Sequence, residues 1–147
     1  MDVVVGIDDS PSLEPVLRTA LAEAELRGAG LHVAHVVQLP SVWVDGMTVM
    51  SGGFVENESE VIDRLRELIW DRVRSIISDD VKWVKVDRTG YPPDELVEYA
   101  ASIEAALLIV GHRSRGGIKS LLLGSTSHRV SHESPCNVLI VKSFPKP

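Results

Sequence analysis

Short β-branched runs and longer stretches with helical spacing alternate along this chain. Residues 3–7, 31–37, 105–110 and 137–142 are rich in valine, leucine and isoleucine, as expected of strands buried in a parallel sheet. Residues 81–86 alternate imperfectly, which is typical of an edge strand with one partly solvated face. Five strands that alternate with four helices predict a doubly wound α/β sheet.

The first two helices follow the first two strands. The first is predicted to begin after Ser12 and to end at Gly28. An earlier start at Ser10 would place Pro15 inside the helix, where proline deletes a backbone hydrogen bond. A long second helix is predicted over 61–77, because apolar residues recur there at helical spacing through roughly five turns.

Two further helices follow the third and fourth strands. Asp94 and Glu95 fall in the first turn of the third helix, where carboxylates favour the helix dipole, so we interpret them as helix starters and not as catalytic acids. The fourth is predicted to be capped by Ser125 and to run to about His132. Residues 38–57 carry scattered glycines and a proline, and form either a flap over a site or a simple connection.

A glycine-rich, basic loop, GHRSRGGIKSLLLGS, spans 111–125 and joins the fourth strand to the fourth helix. Such a loop is an anion site, because unpaired N–H groups and the positive end of the helix dipole point the same way. We interpret it as a phosphate cradle. Gly117 stands where a P-loop has lysine, and neither G-x-G-x-x-G nor the G-x-S-x-G nucleophile elbow is satisfied.

Composition narrows the class of protein. The 147 residues, 44% of them hydrophobic, suit one packed domain over 1–147. A net charge of −6 argues against general binding to nucleic acid or to anionic membranes. Cys136 is the single cysteine, so no internal disulfide forms. Without a signal-peptide pattern or an apolar run of roughly 20 residues, a soluble, cytoplasmic protein is expected.

The histidines give little support for metal chemistry. His128 and His132 are four residues apart, but Arg129 replaces the glutamate of H-E-x-x-H and no third ligand is evident. His32 and His35 alternate along one strand and therefore face opposite sides of the sheet. We predict no metal site and assign no catalytic residue.

The loop resembles that of the universal stress protein family, whose ATP-binding members carry G, two residues, G, nine residues, then G-[ST]. Gly111, Ser114 and Gly124 with Ser125 follow this spacing, with serine in place of the second glycine. The likeness extends to four other parts of the chain: VVVGIDDS at 3–10, LHVAHV at 31–36, Gly90 and Pro92 before Leu96, and SPCNVLIV at 134–141.

The resemblance implies an adenine nucleotide alpha hydrolase-like fold with strand order 3-2-1-4-5. The strands that end at Ile7 and Val110 are then neighbours at the switch point, where open α/β sheets bind ligands. Asp8 matches the position at the adenosine end, and Val36 and Val110 match positions at the base end. Ser125 and Ser127, with the backbone at Gly124 and Thr126, match positions around the phosphates. The full nucleotide-binding set comprises Asp8, Val36, Val110, Gly111, Arg113, Ser114, Gly124, Ser125, Thr126 and Ser127.

The resemblance also implies a function. We predict an adenine-nucleotide (ATP) binding stress-response regulator, with or without Mg²⁺, that hydrolyses ATP slowly at most. Ser114 keeps open the alternative of a member that binds no nucleotide and acts through protein contacts. A nucleotide-hydrolysing or nucleotidyl-transferring enzyme is the third hypothesis, although no general base or magnesium carboxylate pair stands out. The apolar residues 138–141 predict a homodimer through the last strand, since an open sheet edge invites pairing.

Overall fold

The computed structural model describes residues 1–38, 58–112 and 124–142. These residues form nine helices and strands in alternating order: β1 (Asp2–Ile7), α1 (Leu13–Arg27), β2 (Gly30–Val37), α2 (Glu58–Ile76), β3 (Trp83–Thr89), α3 (Pro92–Ser102), β4 (Leu107–Gly111), α4 (Ser125–Glu133) and β5 (Asn137–Val141). The five strands form one parallel sheet in the order β3-β2-β1-β4-β5. This confirms the predicted fold class and strand order.

β1 lies at the centre of the sheet and sets the register of its neighbours. Ile7 is opposite His35 of β2, and Val5 is opposite Ile109 of β4. Because the three strands are parallel, their carboxyl ends meet at the same edge of the sheet. The neighbouring positions of β1 and β4 confirm the predicted switch point between the strands that end near Ile7 and Val110.

Two hydrophobic cores cover the two faces of the sheet. Val3 and Val5 belong to the core formed with α1 and α2, whereas Val4 belongs to the core formed with α3 and α4. All three valines are completely buried. The unbroken apolar sequence of β1 therefore has a physical reason, since each successive side chain enters one core or the other.

Glycines allow two local features that larger residues would obstruct. Gly28 ends α1 with φ of 60°, in the left-handed region that favours glycine, as the sequence predicts. A Cβ atom added to Gly6 would lie 2.6 Å from Leu96 Cδ1. The glycine in β1 thus lets α3 approach the sheet closely.

Helix starts differ from the predictions in detail. Ser12 is the N-cap of α1, as predicted, but it makes no capping hydrogen bond, and its Oγ lies 2.6 Å from Ser10 Oγ. Ser125 is not the cap of α4: it is the first helical residue and Gly124 is the N-cap. Gly124 has φ of −55° and ψ of 156°, outside the helical region, so the first helical residue of α4 is Ser125.

The apolar stripe predicted for the second helix is only partly buried. Leu65 and Leu68 remain 48% and 66% exposed, whereas Trp70 is 1% exposed. Trp70 can be buried without an unpaired polar group, because its indole N–H donates a 2.8 Å hydrogen bond to Asp87 Oδ1, and its ring stacks on Trp83. The buried face of α2 is therefore rotated away from the two leucines.

The third strand begins and ends later than the predicted 81–86. Its pairing with β2 continues from Trp83 to Thr89, which is opposite Val37. The last residues of β3 are polar, so the apolar pattern does not indicate that the strand continues to Thr89. The edge position of β3 is as predicted. None of the described helices is long and apolar enough to cross a membrane.

Candidate functional site

A cavity of about 780 Å³ lies at the carboxyl ends of β1, β2 and β4. This volume is within the range of small-molecule sites. The walls come from the sheet, from α2 and from the turns that follow the strands. Five of the predicted site residues line it: Asp8, Val36, Val110, Gly111 and Thr126.

Asp8 follows the central strand and occupies the turn into α1. Its Oδ1 accepts a 3.0 Å hydrogen bond from the backbone N–H of Ser10. An aspartate that bonds the backbone two residues on holds an Asx turn, so part of its role is structural. The half-buried carboxylate also lines the cavity. Asp8 thus holds the turn into α1 and also lines the cavity.

Gly111 ends β4 where the first turn of α1 crosses it. A Cβ atom at this position would lie 3.0 Å from Val16 Cγ2 and 3.2 Å from Ser12 Oγ. These separations are tighter than ordinary van der Waals contact, so a side chain here would press α1 away from the sheet. The glycine brings the turns after β1 and β4 together at one wall of the cavity.

The first turn of α4 forms another part of the wall, through Thr126. The first N–H groups of any helix have no acceptor within the helix, and α4 has no side-chain cap. Ser127 is 1% exposed and its hydroxyl lies 3.4 Å from the carbonyl oxygen of Gly124, to which it donates. The helix start therefore offers backbone N–H groups to an anion beside the cavity.

α2 contributes a wall that the sequence analysis did not anticipate. Arg72 lines the cavity, and its Nη1 donates a 2.8 Å hydrogen bond to the carbonyl oxygen of Asp9. Among the described lining residues, Arg72 is the one permanent cation. It ties α2 to the turn that carries Asp8. No sequence pattern indicates this contact, since Arg72 lies among the charged residues of a helix.

His35 is a second lining residue that the sequence analysis missed. It is 9% exposed, its ring meets Trp70 edge-on at 6.2 Å between centroids, and its Nδ1 has no hydrogen-bond partner in the described part of the chain. Burial lowers the pKa of His35 below its ordinary value of 6.5, although the nearby Asp87 carboxylate opposes the shift. A neutral imidazole is therefore favoured beside the cavity.

The two strand histidines face opposite sides of the sheet, as predicted. His35 contacts Trp70 of α2, whereas His32 Nδ1 lies 2.8 Å from the Tyr99 hydroxyl of α3. Only His35 borders the cavity. Its position immediately before Val36 was the available sequence signal.

Other predicted site residues lie beside the cavity or outside the described residues. Gly124, Ser125 and Ser127 belong to the start of α4 but are not among the residues that line the cavity, so their phosphate contacts stay a prediction. Arg113 and Ser114 lie in 113–123, outside the described ranges. The suggested flap or connection over 38–57 also lies there, apart from its first residue.

The chain is similar in sequence to known proteins. The model of the universal stress protein family matches residues 1–142. The universal stress protein YxiE of Bacillus subtilis is 29% identical, over 95% of this chain and 97% of its own. The chain spans about half the length of four further relatives, from mycobacterial species.

Solved structures share the fold as well. A universal stress protein in complex with cAMP is 26% identical, with a TM-score of 0.67 over 98% of both chains. The universal stress protein from Archaeoglobus fulgidus in complex with dAMP is 25% identical, with a TM-score of 0.57 over 95% of this chain and 96% of its own. With a family match that runs from the first strand through the last, the chain belongs to the universal stress protein family.

Proposed function

We propose that this protein binds an adenine nucleotide, ATP, in the cavity at the carboxyl edge of the sheet and acts as a stress-response regulator. One observation carries the proposal: Asp8 and the first turn of α4 line the same cavity. A carboxylate and an anion-binding helix start suit the two ends of a nucleotide. Two relatives whose structures contain cAMP and dAMP support an adenine ligand.

The adenosine moiety lies against the sheet in this proposal. Val36 and Val110 present apolar surface at the ends of β2 and β4, which favours a flat heteroaromatic base. The Asp8 carboxylate accepts a hydrogen bond from a ribose hydroxyl or from the adenine amino group. Arg72 acts through the turn, since its bond to the Asp9 carbonyl oxygen holds the backbone next to Asp8.

The phosphates lie toward α4. Backbone N–H groups at Ser125, Thr126 and Ser127 favour negative charge at the helix start, and Arg113 adds a charge-assisted contact. Ser114 replaces a glycine of the family spacing, and we expect weakened rather than abolished binding. Mg²⁺ accompanies ATP where free phosphate oxygens remain. We assign no catalytic residue, so occupancy of the site and not turnover is the regulatory signal.

We also propose a cytoplasmic homodimer. β5 is an edge strand, and its apolar residues Val138, Leu139, Ile140 and Val141 are only partly buried. An open edge of this kind presents unpaired N–H and C=O groups to other chains. Pairing with β5 of a second copy covers both edges about a two-fold axis.

A calorimetric panel tests the nucleotide proposal. ATP, ADP, AMP, cAMP and GTP are titrated separately, with and without Mg²⁺, and each mixture is then analysed for products. We expect adenine nucleotides to bind, GTP to bind more weakly, and ATP to remain largely intact. Absence of binding by every nucleotide overturns the proposal in favour of a member that works through protein contacts, whereas rapid product formation indicates an enzyme.

A further inference from the structure

α4 carries two neighbouring imidazoles on its exposed side. His128 and His132 are both exposed, and their ring centroids lie 4.7 Å apart with the planes tilted by 48°. Residues four apart share one face of a helix. The backbone of α4 therefore holds the two rings side by side, at a place separate from the cavity lining.

The surroundings of the pair favour a cation. Within the described residues, neither imidazole makes a hydrogen bond or an ion pair. Arg129 is the nearest positive charge in sequence, but its Nε lies 2.9 Å from Asp94 Oδ1 and 3.3 Å from Glu133 Oε2. These two carboxylates offset its charge. The net charge of −6 adds a general attraction for cations.

We propose that His128 and His132 form a two-nitrogen chelate for a divalent transition metal ion such as Cu²⁺, Ni²⁺ or Zn²⁺. Imidazole nitrogens suit these ions, and two histidines four apart on a helix are a known zinc-binding arrangement. Metal–nitrogen bonds of about 2.0–2.1 Å require the two donor atoms to converge on one point. The ring centroids lie 4.7 Å apart, and in the proposed complex rotation about the side-chain bonds directs one nitrogen of each ring toward the same ion.

The proposed chelate departs from the expectation of no metal site. That expectation rested on Arg129 in place of the glutamate of H-E-x-x-H and on the missing third ligand. Within the described residues, no group of three or more histidine, cysteine, aspartate or glutamate side chains is placed to hold an ion. A closed structural zinc site needs four protein ligands. A surface chelate needs only two, because water fills the other positions.

Binding also has a structural consequence for α4. The helix has nine residues, and the N–H of His128 donates a 2.9 Å hydrogen bond to the carbonyl oxygen of Gly124. An ion held by His128 and His132 links successive turns and binds the folded helix better than the unfolded chain. Metal binding should therefore raise the thermal stability of the protein.

The test uses protein without a histidine tag, in a Cys136→Ser background so that the thiol does not compete for the ion. Cu²⁺, Ni²⁺, Zn²⁺ and Mg²⁺ are titrated by calorimetry. We expect one transition metal ion per chain, Cu²⁺ tightest, and Mg²⁺ not bound. His128→Gln and His132→Gln should each weaken Cu²⁺ binding at least about tenfold, because either change removes the chelate.

His112→Gln is the matched control, since it removes a histidine outside the pair. We expect it to leave Cu²⁺ affinity unchanged. Electron paramagnetic resonance of the Cu²⁺ complex should show coupling to two imidazole nitrogens in the parent and to one in each single variant. Unchanged affinity in both single variants, or one ion shared by two chains, would overturn the proposal. ATP titrations are independent of this result.

Discussion

The substitution Gly6→Ala tests how closely α3 packs on the central strand beneath the cavity. The added Cβ would lie 2.6 Å from Leu96 Cδ1 and 3.1 Å from Leu96 Cδ2. Leu96 is 4% exposed and belongs to the core formed by α3 and α4. Because Leu96 also lines the cavity, the close approach is relieved either by a shift of its side chain toward that space or by a shift of α3.

The magnitude follows from two opposing effects. Overpacking a core by one methyl group costs about 1–3 kcal/mol. Alanine also restricts the unfolded chain and so returns about 0.4–1 kcal/mol. The two effects leave a net loss of about 0–2.6 kcal/mol in the free energy of unfolding. We expect about 1 kcal/mol from urea titrations, because the close atoms are the methyl ends of one leucine.

A double-mutant cycle isolates the contact with Leu96. Leu96→Ala alone should cost about 2–5 kcal/mol, because it leaves a cavity. In the double variant the new methyl group at position 6 no longer meets the leucine. The stability losses of the two single variants should therefore add up to roughly 1 kcal/mol more than the loss measured for the double variant.

Gly28→Ala is the control for this cycle. Gly28 has φ of 60° and no atom within 4 Å of an added Cβ, so its alanine variant loses about 1–2 kcal/mol through the backbone alone. It should combine additively with Leu96→Ala, within about 0.5 kcal/mol. If Gly6→Ala also combines additively with Leu96→Ala, the reasoning is refuted, since contact with Leu96 would then not cause the loss of stability at position 6.

Three further predictions concern pH, the loop and assembly. Because the pKa of His35 is lowered in the folded state, the unfolded chain binds the proton first, and stability should fall as pH drops from about 6.5 through that lower value. Between pH 7.5 and pH 5.5, the urea concentration at the midpoint of unfolding should fall less for His35→Gln than for the parent. An equal fall in the two proteins would contradict this. Ser114→Gly should tighten ATP binding by roughly tenfold or more if the position needs positive φ. Unchanged affinity would show that position 114 does not limit the site. Sedimentation at micromolar concentration should give a dimer through β5, and a monomer would count against edge pairing.

The sheet could be predicted because its strands carry an unmistakable burial signal. Val3, Val4 and Val5 are buried from both sides, so no polar residue interrupts the run. The periodicity of α2 predicted its buried face only in part, since Ile69 and Val73 of the apolar stripe are buried in the core. Leu65 and Leu68 lie on that stripe and remain exposed, while Trp70 takes the buried position.

Part of the cavity could be predicted because the family resemblance implies the strand order. That order brings Asp8 and Gly111 to one switch point, and both residues line the cavity. Arg72 could not be predicted, because its bond to the Asp9 carbonyl oxygen joins residues 63 positions apart and depends on how α2 docks. Local sequence carries no information on that docking.

Calorimetric titration with ATP of the parent chain, Asp8→Asn and Asp79→Asn tests the central claim most directly. Asparagine at position 8 preserves an acceptor for the Ser10 N–H but removes the charge, and Asp79 is an exposed carboxylate outside the cavity lining. Loss of a charge-assisted hydrogen bond costs about 1.5–3 kcal/mol, or roughly 10–150-fold in affinity. We predict that loss for Asp8→Asn and none for Asp79→Asn. Equal ATP affinity in all three folded proteins would contradict a nucleotide site at Asp8.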